Sequence, residues 1–130
     1  MESKPIIKDL EINVMGLPLI PCSQLPLTGF FRDGCCNTGA GDFGTHTICA
    51  IVGDEFLEFS RGKGNDLVTS RPEYGFKGLK SGDHWCLCAI RWEEARQAGC
   101  ARRVKSTSTN IKTLKFISLD HLKDHQIDLN

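Results

Sequence analysis

Regular apolar patterning is confined to a few short stretches of this chain. "THTICAIVG" (45–53), rich in Thr, Ile and Val and closed by Gly53, has the composition of a β-strand. "HWCLCAI" (84–90) is a second strand, whose alternation puts Trp85, Leu87 and Ala89 on one face and Cys86, Cys88 and Ile90 on the other. A helical pattern follows each strand. "DEFLEFSRGKG" sets Phe56, Leu57 and Phe59 on one side, opens on Asp54 as an N-cap and closes at Gly62 or Gly64. "RWEEARQAG" reads as a short helix ending at Gly99. Further on, "RRVKSTST" and "TLKFI" predict a hairpin around Thr109 and Asn110, and "SLDHLKDHQ" a last helix capped by Ser118 and packed through Leu119 and Leu122.

Between these elements the patterning fails. Residues 1–12 read as an N-terminal arm with Ile6, Ile7, Leu10 and Ile12 to pin it down. "NVMGLPLIPCSQLPLTGFF" carries Pro18, Pro21 and Pro26, each lacking an N–H and each pushing its predecessor toward extended backbone. The glycine-rich "FFRDGCCNTGAGDFGTH" overlaps its end, and "NDLVTSRPEYGFKGLKSGD" is a second irregular stretch, closed by the turn signal Ser81-Gly82-Asp83. The sum is one α+β domain over 13–130: a small two-layer unit, a short mixed sheet with helices on one face and long irregular Gly/Pro-rich segments.

Composition narrows the function classes. A chain of 130 residues buries roughly two thirds of its unfolded surface, so it needs no metal or disulfide to complete a core. Sixteen basic and sixteen acidic residues cancel, leaving no global field toward nucleic acid or an anionic membrane. The basic string "RRVKSTSTNIK" has no interleaved aromatic and reads as a solvated face. There is no apolar run long enough for a membrane span or a signal peptide, which predicts a cytoplasmic protein. Seven cysteines, an odd number without a C-x-x-C, predict reduced thiols with at most one incidental disulfide.

The reactive side chains gather in the irregular segments, and the reading they favour is a cleft for an unknown small molecule or ion, with a thiol-dependent activity left open. Cys35, Cys36 and His46 are the catalytic candidates. Arg32, Asp33, Asp42, Asn65, Asp66, Asp83 and Arg91 are the ligand-binding ones. Adjacent Cys35 and Cys36 either close a strained vicinal disulfide or point apart, and the nearby Arg32 and Asp33 push a thiol pKa in opposite directions. Cys86 and Cys88, two apart on a strand, share a face that suits one soft metal ion, but their spacing is not that of a zinc knuckle. The expectation is strand-face packing with no metal and no cofactor; were a metal held, Cys36, Cys49, Cys86 and Cys88 would be its candidates. The competing readings are a zinc module using the Cys86/Cys88 pair, or an interaction module presenting Trp85, Trp92, Phe30 and Phe31 as an apolar patch. Phosphate-loop, dinucleotide, nucleophile-elbow and H-E-x-x-H motifs are all missing.

The motifs R-D-G-C-C, H-T-x-C-A, G-N-D-L and G-D-x-W-C-L-C, spread over roughly residues 13–125, resemble the bacterial family of uncharacterised proteins called domain of unknown function 2237. The resemblance implies a small α+β domain and brings no activity with it. Cys100 lies outside its motifs.

Overall fold

Strand β1 (His46–Ile51) forms where the β-branched run was read, and its residues from Thr47 to Ala50 are all buried. In the computed structural model, which describes residues 11–128, helix α1 (Asp54–Gly62) follows at once. Ile6, Ile7 and Leu10 of the predicted arm lie outside the described residues. Gly53 occupies the N-cap position without a side-chain bond, so Asp54 is the first helical residue rather than the cap. Asp54 and Glu55 in the first turn and Arg61 in the last complement the helix dipole.

The chain then returns through the irregular stretch to the end of β1 it had left. Gly82 donates its N–H to the Val52 carbonyl and Val52 donates to that of Asp83, each at 2.9 Å. Strand β2 (His84–Cys88) therefore starts beside Ile51 and runs backward along β1, before helix α2 (Ala89–Gln97) takes over. The two-residue strand β3 (Arg103–Val104) pairs on the other side, giving the order β2-β1-β3. Both pairings are antiparallel, where a mixed sheet was expected. The correction follows from that return: coming back to the same end makes the pair antiparallel, whereas a crossover to the opposite end would have made it parallel.

The predicted hairpin around Thr109 and Asn110 does not form. After β3 the chain turns through two short 3-10 segments, Ser106–Ser108 and Ile111–Lys115, because its polar side chains bond backbone and one another in place of a strand ladder. Thr109 Oγ1 donates to the Lys105 carbonyl at 2.9 Å, Ser108 Oγ to that of Pro21 at 2.9 Å, and Thr113 Oγ1 to Thr47 Oγ1 at 2.7 Å. Asn110, fully buried, donates to the Cys36 carbonyl and accepts from the Lys112 N–H. The last helix, α3 (Leu119–Lys123), carries the predicted cap: Ser118 Oγ accepts from the His121 N–H.

Each face of the sheet has its own core. On one, Ile48, Ala50, Leu87 and Val104 pack with Phe56 and Leu57 of α1, Trp92 and Ala95 of α2, and Leu122 of α3. On the other, Cys49 and Cys86 stand opposite each other in register and meet Cys22 and Cys36 from the irregular segments. The fold is thus an α+β domain with helices on one face and Gly/Pro-rich chain on the other. Two disulfides, Cys22–Cys49 and Cys36–Cys86, join that chain to the sheet, against the expectation of reduced thiols with at most one disulfide. The partners are 27 and 50 residues apart, so only the strand register, not any local spacing, brings them together. Cys35, Cys88 and Cys100 are free. No helix among the described residues is long and apolar enough to cross a membrane.

Candidate functional site

The register of β1 and β2 slips at its far end: Ile48 pairs with Leu87, but His46 pairs with Cys88, so Thr47 is an extra residue on β1. Just before it, Thr45 adopts φ 50°, a left-handed conformation rare for a β-branched residue. The bulge delivers His46 and Cys88 together to the rim of a cavity of about 310 Å³. Asn65, Leu67, Trp85 and Arg91 line it as well, with Gly44. A neighbouring hollow of about 270 Å³ shares His46, Leu67 and Trp85 and extends the cleft to Arg32 and Phe30. No acidic residue lines either one among the described residues.

His46, Arg91 and the Asn65 backbone are held from behind. His46 Nδ1 lies 2.6 Å from Asp42 Oδ1, while the His46 N–H and the Thr38 hydroxyl donate to Asp42 Oδ2, both at 2.9 Å. The Asp42 side chain is 0% exposed and that of His46 41%, so the carboxylate sits inside and the ring faces the cleft. Burial works against ionisation of Asp42, but these hydrogen bonds and the His46 ring outweigh it and hold the carboxyl below the usual range. With Nδ1 engaged, Nε2 is the ring atom left to meet a ligand. Gly44 makes room for the ring: a Cβ there would come within 2.6 Å of His46 Cε1. Arg91 donates to the Lys63 carbonyl at 3.1 Å and to Glu94 Oε1 at 3.3 Å, which fixes its guanidinium beside Asn65 at the cleft wall. Asn65 is itself placed by the end of α1, where its carbonyl accepts from Ser60 Oγ.

Of the residues singled out in the sequence, the fold brings His46, Asn65 and Arg91 to one cavity, Arg32 to its extension, and Asp42 behind the histidine. The other aspartates shape turns. Asp33 accepts from the Cys35 N–H and Asn37 Nδ2, Asp66 from the Val68 and Thr69 N–H groups and the Thr69 hydroxyl, and Asp83 from the Lys80 N–H and ammonium. Cys36 has its sulfur in a disulfide and is fully buried. Cys35 is free, but desolvation and the Asp33 carboxylate push its thiol pKa up, which lowers its thiolate fraction. Neither lines the cavity; the thiol that does is Cys88. Cys88 was read as a partner of Cys86, yet Cys86 belongs to the sulfur cluster with Cys22, Cys36 and Cys49. The strand pairing is the signal that separates them, and composition does not reveal it.

The four aromatic residues of the patch reading also part. Trp92 is in the core with its indole N–H donated to the Arg102 carbonyl, and Trp85 packs half-buried against Phe76. Phe30 and Phe31 are exposed, edge to face at 5.0 Å.

No curated protein matches this sequence. A family model does, over residues 12–126, which is most of the chain, and with the motifs and fold above it makes the protein a member of the bacterial family described as uncharacterised proteins conserved in bacteria, domain of unknown function 2237.

Proposed function

We propose that the protein binds a small anionic molecule in the cleft at the bulged end of the β1–β2 pair. The carrying observation is the convergence of His46, Asn65, Cys88 and Arg91 on one cavity of about 310 Å³ that no acidic side chain lines among the described residues. That volume is at the small end for ligand sites, which favours a compact metabolite over a cofactor. Arg91 supplies donors for a carboxylate or phosphate, Asn65 a neutral donor and acceptor, and Trp85, Leu67 and Leu87 an apolar wall. His46, its Nδ1–H given to Asp42, presents Nε2 as an acceptor for an acidic proton of the ligand, or as a donor in the imidazolium form. Asp42 serves as a positioning residue for the imidazole, and Cys88 presents a thiol to whatever is bound.

The cleft carries its own reporter. Cys88 is alkylated with iodoacetate and, separately, with iodoacetamide, and peptide mass mapping gives the rate ratio of the charged to the neutral reagent. Cys35 and Cys100, the other free thiols, are the internal references. The ratio at Cys88 is expected to exceed that at Cys100 several-fold, and to fall in Arg91→Ala and in Gly44→Ala, which displaces the His46 ring. Equal ratios at Cys88 and Cys100, unchanged by either substitution, would sink the proposal.

A further inference from the structure

We infer that Cys22, Cys36, Cys49 and Cys86 form a second site, a closed tetrathiolate centre for one zinc-class metal ion, occupied when the two disulfides are reduced. The sulfur atoms of Cys22, Cys36 and Cys49 all lie within 4.8 Å of one another, and that of Cys86 is bonded to Cys36. In a tetrahedral zinc site each sulfur lies about 2.3 Å from the metal, which places the sulfurs about 3.8 Å apart. Three of the four sulfurs are thus already grouped close to that spacing; on reduction each bonded pair moves apart, and Cys86, which lies outside the 4.8 Å group, turns in beside Cys36 to complete the set. All four residues are buried, the condition for a structural rather than a catalytic site. They come as two sheet ligands, opposite each other in the β1–β2 register, and two from the irregular segments that cover that face. Cross-strand pairing thus supplies the closeness that zinc knuckles obtain from short sequence spacing. Cys88, at the cleft, takes no part.

The conversion balances. Two dithiol molecules reduce the two disulfides, each closing to its own disulfide and delivering two electrons and two protons, and the protein gains four thiols. Binding one divalent ion then forms four metal–sulfur bonds and releases four protons to solvent. In the reverse direction two molecules of a small cyclic disulfide accept the four electrons and take up four protons from solvent to leave as dithiols, while the metal ion is released and both protein disulfides re-form. Either state ties the same two segments to the sheet, so the anion cleft on the rim keeps its framework in reducing and oxidising surroundings alike.

The test uses the full chain, reduced with a phosphine that does not compete for metal, freed of small molecules anaerobically and titrated with Co(II), then with Zn(II). The expected result is saturation at one cobalt per chain with the visible bands of tetrahedral thiolate coordination, displaced by zinc, and four of the seven thiols protected from alkylation in the loaded protein. A variant carrying Cys35→Ser, Cys88→Ser and Cys100→Ser together should give the same spectrum and stoichiometry, while Cys22→Ser should weaken binding and alter the bands. If Cys22→Ser does not fold, the triple variant decides alone. A reduced chain that gives no thiolate spectrum, or a triple variant that loses it, would overturn the inference. So would a reduced chain that unfolds and is not restored by zinc. None of these outcomes depends on the anion cleft, whose reporter is Cys88.

Discussion

Asp42 accepts three hydrogen bonds with its carboxylate shut away from solvent, and it is one of four acidic groups among the described residues that the fold favours in the ionised form. Asp66 is lowered to about 2 by the Thr69 hydroxyl and the N–H groups of Val68 and Thr69, and Glu93 to about 2, chiefly by its hydrogen bond from Arg96. Asp128 is lowered too: burial opposes it, but the Thr107 and Ser106 donors prevail. In each case the folded pKa lies below the unfolded value of about 4, so near that pH the unfolded chain binds more protons. Their stabilisation is complete above about pH 5 and lost as pH falls toward about 2. The urea midpoint should therefore drop steadily over that interval, and Asp42→Asn should flatten the drop. A midpoint that stays level down to about pH 2 would contradict the assignment. At this scale Asp42 and His46 stand four apart in the sequence, but Asp42 reads there as a ligand-binding residue, and it is the fold that turns its carboxylate inward beneath the imidazole. Asp33, Asp66 and Asp83 looked like site residues because a turn-forming aspartate and a ligand-binding one have the same neighbours in sequence: glycine, asparagine and polar side chains.

Among the elements, α1 shows how little amphipathic surface this fold uses: nine residues, of which Phe56, Leu57 and Ser60 are buried. Phe56 is one of the largest fully buried side chains, and it contacts the core shared by all three helices and the sheet. Phe56→Ala should cost about 3–5 kcal/mol, measured as a shift in the urea midpoint at unchanged slope. A loss under about 1 kcal/mol would mean the core closes around the vacancy. Both long strands were legible from continuous β-branched, aromatic and cysteine runs, which the sheet buries on both faces, and both longer helices from the apolar positions that they turn toward the core. The segment after β3 was not. Its Ser, Thr and Asn residues are compatible with an exposed strand, but here they are buried and satisfied by one another, as Thr113 and Thr47 are across two elements. That arrangement depends on contacts 66 residues apart, which no window of sequence displays.

For the whole molecule, the irregular segments are the part whose order needs explaining, since they bury little apolar surface of their own. Two links to the sheet restrict the unfolded chain by roughly 3–4 kcal/mol each in the chain-entropy picture. Their pairing has a further property. The linked positions interleave along the chain, 22 with 49 and 36 with 86, rather than nesting one inside the other. A single peptide-bond cut anywhere between Cys22 and Cys86 thus leaves two fragments that share at least one covalent bridge, and a cut between Cys36 and Cys49 leaves two. Phe43, 95% exposed on the glycine-rich loop, invites such a cut by a protease of aromatic specificity. The oxidised protein, nicked there, should run as one species under denaturing, non-reducing conditions and gain only the mass of a water. The metal-loaded form, nicked at the same bond, should separate into two pieces once denatured with a chelator. A loop that looks like the weakest point of the chain is in this sense the place where it can be broken without coming apart.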